Sequence, residues 1–272
     1  MTSFFKTSRF GAALAAIAAL TLATLTAPAA ASDPAVLAQD HPMGSQIRKH
    51  EGGDRNARKA PPEPGVEATV AGIDVSGWQG NVDWAYWWNQ GKRFAYVKAT
   101  EGTGYRNPYF AQQYNGSYAV GMIRGAYHFA LPDRSSGAAQ ATFFVNNGGG
   151  WSRDGKTLPG VADLEYNPYG ATCYGLSQAQ MANWISDFSA TYRARTGRDP
   201  VFYTSTSWWS QCVGTARQFA HSNPLWVARY SSTVGALPHN WSVWTFWQWT
   251  SSPIDQNHFN GAYDRLQVLA NG

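Results

Sequence analysis

Leu158-Pro-Gly-Val-Ala-Asp-Leu-Glu-Tyr166 reads as a short apolar strand that ends in two carboxyls. Alternate side chains of a strand share a face, so Asp163 and Glu165 point the same way at its end. Burying even one carboxylate without a partner is costly. Such a strand end suggests acid and base chemistry, against the plainer reading of two solvated charges. Downstream, Ser177-Gln-Ala-Gln180 has the form of a capping box and opens a long helix that ends at Gly197. Pro200 to Thr204 then reads as the next strand.

The same alternation extends in both directions. Further strand candidates are Gly72 to Ser76, Phe94 to Ala99, Met122 to Phe129, Leu225 to Tyr230 and Val243 to Trp249. Asp83 is placed to cap a helix from Trp84 to Gln90, with Gly91 as its stop. Asn107-Pro108 opens another that runs to about Ala119, and a further helix is expected from about Ser136 to Asn146. Repeated strand-helix-strand order implies parallel strands and an α/β fold. Seven strands in one domain fit a closed barrel better than an open sheet. The strand-rich final third makes that barrel irregular. No glycine-rich phosphate loop follows a strand, which argues against a doubly wound nucleotide-binding fold.

Residues 1–31 read as an export signal, with Lys6 and Arg9 ahead of the apolar stretch Gly11 to Leu25 and a small-residue end at Ala29-Ala30-Ala31. Residues 32–70 are rich in charge, Pro and Gly. Their composition argues against burying enough surface to offset chain entropy, so a propeptide or flexible linker is expected. Residues 71–272 form the single catalytic barrel domain of this reading. The expected product is a secreted, extracellular monomer with no membrane association once the signal is removed.

The formal net charge is +4, and the first 70 residues hold seven Lys and Arg against six Asp and Glu, leaving +3 for the remainder. That excess is compatible with an anionic wall but is equally an ordinary solubility charge. No basic cluster interleaved with aromatics points to nucleic acid. The two cysteines, Cys173 and Cys212, read as a disulfide in an exported chain. No His-Glu-x-x-His segment or tight His/Cys/Asp group suggests a metal, no cofactor is implied, and no Gly-x-Ser-x-Gly elbow provides a serine nucleophile.

Ligand sites in βα barrels lie at the carboxyl ends of the strands. There the sequence places Asp74, Lys98 and Glu101, Tyr127 with His128, Asp163 and Glu165, and Tyr203; Tyr230 and Asp255 follow later strands. Four acids in one mouth cannot all ionise easily, so at least one retains its proton near neutral pH. A protonated carboxyl is what cleavage of a glycosidic bond needs at the leaving oxygen. Glu165 is the candidate acid. The 13 Trp and 14 Tyr suit stacking on sugar rings, although most buried aromatics are simply core. Tyr127, Tyr203, Tyr230 and Trp247, with Lys98 and Glu101, are the substrate-binding candidates, while His128 reads as a hydrogen-bonded wall residue.

Six ordered blocks carry a family resemblance: Gly72-Ile-Asp-Val-Ser-Gly-Trp-Gln-Gly80, Ala95-Tyr-Val-Lys-Ala-Thr-Glu-Gly102, Arg124-Gly-Ala-Tyr-His-Phe129, Asp163-Leu-Glu165, Trp244-Thr-Phe-Trp-Gln248 and Ile254-Asp-Gln-Asn-His-Phe-Asn-Gly261. Together they resemble glycoside hydrolase family 25, the Ch-type lysozymes or N-acetylmuramidases. The resemblance implies five βα units followed by three strands and cleavage of the β-1,4 bond between N-acetylmuramic acid and N-acetylglucosamine in peptidoglycan. It also implies that Glu165 is the catalytic acid, with Asp163, Asp74 and Asp255 as the accompanying carboxylates.

The substrate's 2-acetamido group can attack its own anomeric carbon, so a retaining, substrate-assisted route is expected, with Asp163 orienting the amide. Direct displacement by water, with Asp74 or Asp255 as base, is the competing route. Two other functions compete: a wall-binding lectin on the same barrel, and a hydrolase of another acetamido polymer such as chitin.

Overall fold

The structure is a computed structural model that describes residues 1–2, 40–53 and 68–272. The expected export signal lies outside the described residues. The chain divides into Met1–Ala31 and Ser32–Gly272, and only the second unit concerns the site.

The described elements are, in order, α1 (Ser45–Glu51), β1 (Thr69–Val75), α2 (Trp84–Asn89), β2 (Phe94–Glu101), β3 (Tyr105–Arg106), α3 (Phe110–Ala119), β4 (Ile123–Phe129), α4 (Gly137–Phe144), β5 (Val161–Asp163), α5 (Gln178–Thr196), β6 (Val201–Thr204), α6 (Thr206–Cys212), β7 (Leu225–Ala228), β8 (Phe246–Thr250), β9 (Gln256–Asn260) and α7 (Tyr263–Asn271). Starting at β1 the sheet order is β1-β9-β8-β7-β6-β5-β4-β2, and β2 pairs back onto β1, which closes the barrel. Pairings from β1 through β2, β4, β5, β6, β7 and β8 are parallel, whereas β9 runs antiparallel to both β8 and β1. Five βα units, those of β1, β2, β4, β5 and β6, precede three strands, β7 to β9, with no helix between them, as the family resemblance implies.

Local signals explain several of these elements. The Asp83 side chain accepts from the Tyr86 amide at 2.9 Å and starts α2, and Ser177 with Gln180 completes the capping box of α5. Gly197 ends α5 at φ 75°, a left-handed value that glycine adopts without penalty. All eight residues of β2 are buried, as expected of a barrel strand covered on both faces.

Below the mouth, rings fill the lumen: Tyr96 and Trp226 lie 4.9 Å apart between centroids, and Phe246 lies 5.3 Å from Phe94 and 5.4 Å from both Trp226 and Phe259. Gly125 makes room for them, because a Cβ there would fall 2.2 Å from the Tyr96 ring. On the outside, Cys173 and Cys212 form the expected disulfide between the segment preceding α5 and the end of α6.

Five elements are not named in the sequence reading: α1, β3, α6, β9 and α7. Strand β9 lies in the stretch read only as carrying Asp255 after the last aromatic strand, and α1 falls within the stretch whose composition argued against packing. The segment Asp40–Glu51 lies against the barrel, with Met43 and Ile47 almost completely buried. Its two large apolar side chains are buried, and hydrogen bonds, ion pairs and ring contacts make up most of the rest. Among the described residues no helix is long and apolar enough to cross a membrane.

Candidate active site

The strand ends deliver the acids to one place. Asp74 sits near the end of β1, Asp163 ends β5, Glu165 follows it by two residues, and Asp255 immediately precedes β9. Asp74 is tied to the Asp255 segment by a 3.2 Å backbone hydrogen bond to the Asp255 carbonyl. All four carboxyls are buried, and they feel one another's charge: Asp163 that of Glu165 and Asp74, and Asp255 that of Asp74 and Glu165.

Their environments differ. Burial pushes Asp74 up to about 6, although Asn257 and Gln248 donate to its Oδ2 at 2.7 and 2.9 Å and oppose the shift. Its Oδ1 has no hydrogen-bond partner. Asp163 is raised well above the usual carboxyl range, first by burial and then by the charge of Glu165, and neither of its oxygens has a partner. Burial carries Glu165 to about 7 against three backbone amides that favour its ionised form. Asp255 is raised by burial and by Asp74 while Arg48 pulls it down. A proton is therefore retained within the group near neutral pH, as the crowding of acids implies.

The tyrosines expected at the mouth are there. Tyr203 and Tyr230 both donate to Gln248 Oε1, at 2.7 and 2.5 Å, and the same amide holds Asp74 through its Nε2. Tyr127 accepts from the Met43 amide at 3.2 Å. Lys98 and Glu101 form a buried pair at 2.7 Å at the end of β2. Burial raises the proton affinity of Glu101, but Lys98 and His41 outweigh it and hold the acid at about 2. Among the described residues no group of His, Cys, Asp and Glu could hold a metal ion.

Trp247 is a correction. Gln248 points into the mouth, so its neighbour Trp247 projects from the opposite face of β8. There it packs edge-on against Trp244 at 6.1 Å and donates to the Arg229 carbonyl. His128 is a hydrogen-bonded wall residue, held between Thr100 and Gln140.

Sequence reasoning missed Gln248 and Asn257, whose neutral amides organise Asp74, and it missed the rim aromatics Trp78 and Tyr169, exposed by 57% and 46%. The signal for the amides was their position, two residues into β9 and on the lumen-facing side of β8. It also missed that Asp40–Gly53 crosses this mouth. The amides of Gly44, Gln46 and Ile47 donate to the two oxygens of Glu165 at 2.8, 2.9 and 2.9 Å, and Arg48 pairs with Asp255 at 2.8 Å.

Comparison with known proteins agrees with this geometry. The profile of Glycosyl hydrolases family 25 matches residues 73–258, which includes every acid of the cluster. The chain is similar to Lysozyme M1 of Streptomyces globisporus, with 46% identity over 96% of this chain and 92% of that one. It is also similar to the N,O-diacetylmuramidase of Chalaropsis sp, 48% identical over 75% of this chain and the whole of the relative. Among solved structures, a muramidase from Acremonium alcalophilum superposes with a TM-score of 0.73 at 56% identity, over 75% of this chain and 99% of that one.

Proposed function

This chain belongs to glycosyl hydrolases family 25, and from that premise we propose that it is a muramidase that hydrolyses the β-1,4 bond between N-acetylmuramic acid and N-acetylglucosamine in peptidoglycan. The observation that carries this reading is the unpartnered, buried Asp163 beside Glu165, whose carboxyl is raised to about 7. An acceptor without a donor in a catalytic mouth calls for a donor from the substrate. The N–H of a 2-acetamido group has the required chemistry.

In this mechanism the acetamido carbonyl oxygen attacks the anomeric carbon as the glycosidic C–O bond breaks. Glu165 gives its proton to the departing oxygen. Asp163 accepts the amide N–H and stabilises the positive oxazolinium ion. The Glu165 carboxylate then takes a proton from water, whose oxygen adds to the anomeric carbon and restores the acetamide. Net configuration is retained. Asp74, fixed by Gln248 and Asn257, and Asp255 supply negative potential near the developing cation. Tyr127, Tyr203 and Tyr230 bind the glycan, and the exposed Trp78 and Tyr169 offer ring faces for stacking at the rim. The apolar leader and the disulfide support action outside the cell.

Glu165→Gln separates this reading from a glycan-binding barrel. It should lower turnover by about 10²–10⁴-fold while glycan binding persists, the size expected for a general acid. Unchanged turnover removes Glu165 from the mechanism. NMR of the first anomer released tests the route, and net inversion excludes neighbouring-group participation. Comparable rates on chitin oligomers and peptidoglycan refute the assigned specificity.

A further inference from the structure

We propose that residues 40–53 are an intramolecular plug that occupies the substrate cleft and holds the full chain inactive until the segment is displaced or cut away. This inference rests on the muramidase reading for the identity of what is excluded, and on contacts alone for the occupancy.

The segment engages the site along its length. The Asp40 carboxylate meets Lys98 Nζ at 2.8 Å, and His41 reaches Glu101 at 2.7 Å and lies edge-on to Tyr169. Met43 is fully buried, and its amide donates to Tyr127. The Gly44 carbonyl lies 3.3 Å from the Tyr230 hydroxyl, and Arg48 holds Asp255 with its guanidinium 5.6 Å from the Tyr230 ring. Further along, His50 stacks on Tyr166 at 4.3 Å, and Glu51 accepts hydrogen bonds from Tyr166 and Ser205. Most of the residues a glycan would need are thus already engaged. Two cavities remain at the ends of the segment: one of 330 Å³ lined by Glu101, Leu131, Arg134 and Tyr169, and one of 510 Å³ lined by Glu51, Gly53, Arg229 and Tyr230.

The contacts also occupy the catalytic acid. Both oxygens of Glu165 accept backbone amides from the segment, so neither is free to reach a departing glycosidic oxygen. Arg48 places a positive charge where a cationic transition state would develop. The fit depends on one glycine: Gly44 has φ 76°, and a Cβ there would lie 1.9 Å from the Tyr230 hydroxyl and 2.4 Å from that of Tyr203. The solved muramidase described above aligns almost end to end with three quarters of this chain, so a barrel of that kind is complete without the rest.

The test compares the full chain with its Gly44→Val and Arg48→Glu variants, neither of which alters a barrel residue. Arg48→Glu sets like charges together at the rim, where the Arg48 side chain is 29% exposed, and keeps the comparison informative should Gly44→Val fold poorly. Both variants should clear purified peptidoglycan about tenfold faster or more than the unaltered chain, because a tethered occupant acts at a high effective concentration. A synthetic peptide of residues 38–53 should raise KM of the Gly44→Val chain without changing kcat, and should bind that chain one to one by calorimetry while leaving the unaltered chain untouched. Equal rates in all three chains, with no peptide binding, overturn the plug and leave the muramidase reading standing. Binding to the variant alone, with no turnover in any chain, upholds the plug and overturns the muramidase reading.

Discussion

Replacing Gln248 with methionine removes a hub rather than a single bond. Its Nε2 donates to Asp74 Oδ2 at 2.9 Å, and its Oε1 accepts from Tyr203 at 2.7 Å and from Tyr230 at 2.5 Å. Methionine matches the glutamine in length but accepts and donates almost nothing. Three buried groups then lose a partner, each loss costing about 1–3 kcal/mol. Asn257 still holds Asp74 Oδ2, and the tyrosine hydroxyls lie 3.5 Å apart and can partly satisfy each other. A total of about 3–5 kcal/mol is therefore expected, at the low end of the simple sum. For a domain of this size that corresponds to a fall in Tm of about 10 °C. Calorimetric melting of both chains at pH 7 measures it, with Gln248→Leu as a second apolar control. A fall of less than about 2 °C would show that these hydrogen bonds contribute little net stability and that Gln248 is not the hub described.

Two further outcomes follow from the same structure. Glu165 is raised from 4.5 to about 7 in the folded chain, so its contribution is complete below about pH 4.5 and is lost as pH rises through about 7. The Glu165→Gln chain should therefore gain on the unaltered chain by about 3 kcal/mol between pH 4.5 and 8, measured by urea unfolding across pH; a constant difference contradicts the raised carboxyl. Replacing Cys173 and Cys212 together with alanine opens a link between residues 39 apart and should cost about 2–4 kcal/mol in the same assay, whereas an unchanged midpoint would assign the bond no stabilising role.

Much of this molecule is visible in its sequence because local and global preferences agree. The capping box at Ser177, the cap at Asp83 and the long buried run of β2 each point to the element they form. The acids were legible because a carboxyl at the end of an apolar strand is costly to bury and so marks a place where its charge is used. Strand β9 was not, since Gln256-Asn-His-Phe-Asn260 carries polar side chains at almost every position and only its pairing with β8 and β1 makes it a strand. Gln248 and Asn257 bear no charge that would mark them as site residues. Trp247 was misplaced because an aromatic on a barrel strand looks the same whichever face it occupies, and the face is fixed here by Gln248 beside it.

The plug was hidden for a related reason. An average over residues 32–70 gives a polar, charge-rich stretch, whereas the contacts come from particular side chains: Met43 and Ile47 for burial, Arg48 for Asp255, and Gly44 for close approach. Composition reports how much surface a segment can bury on its own. It says little of a segment whose partners are charges already buried in the barrel.

Four carboxyls converge in one barrel mouth, and the claim built on them is that they cleave at muramic acid. Mass spectrometry of the reducing ends released from purified peptidoglycan, with the unaltered and Gly44→Val chains alike, tests it most directly. The account predicts N-acetylmuramic acid at the new reducing ends; N-acetylglucosamine there would contradict it.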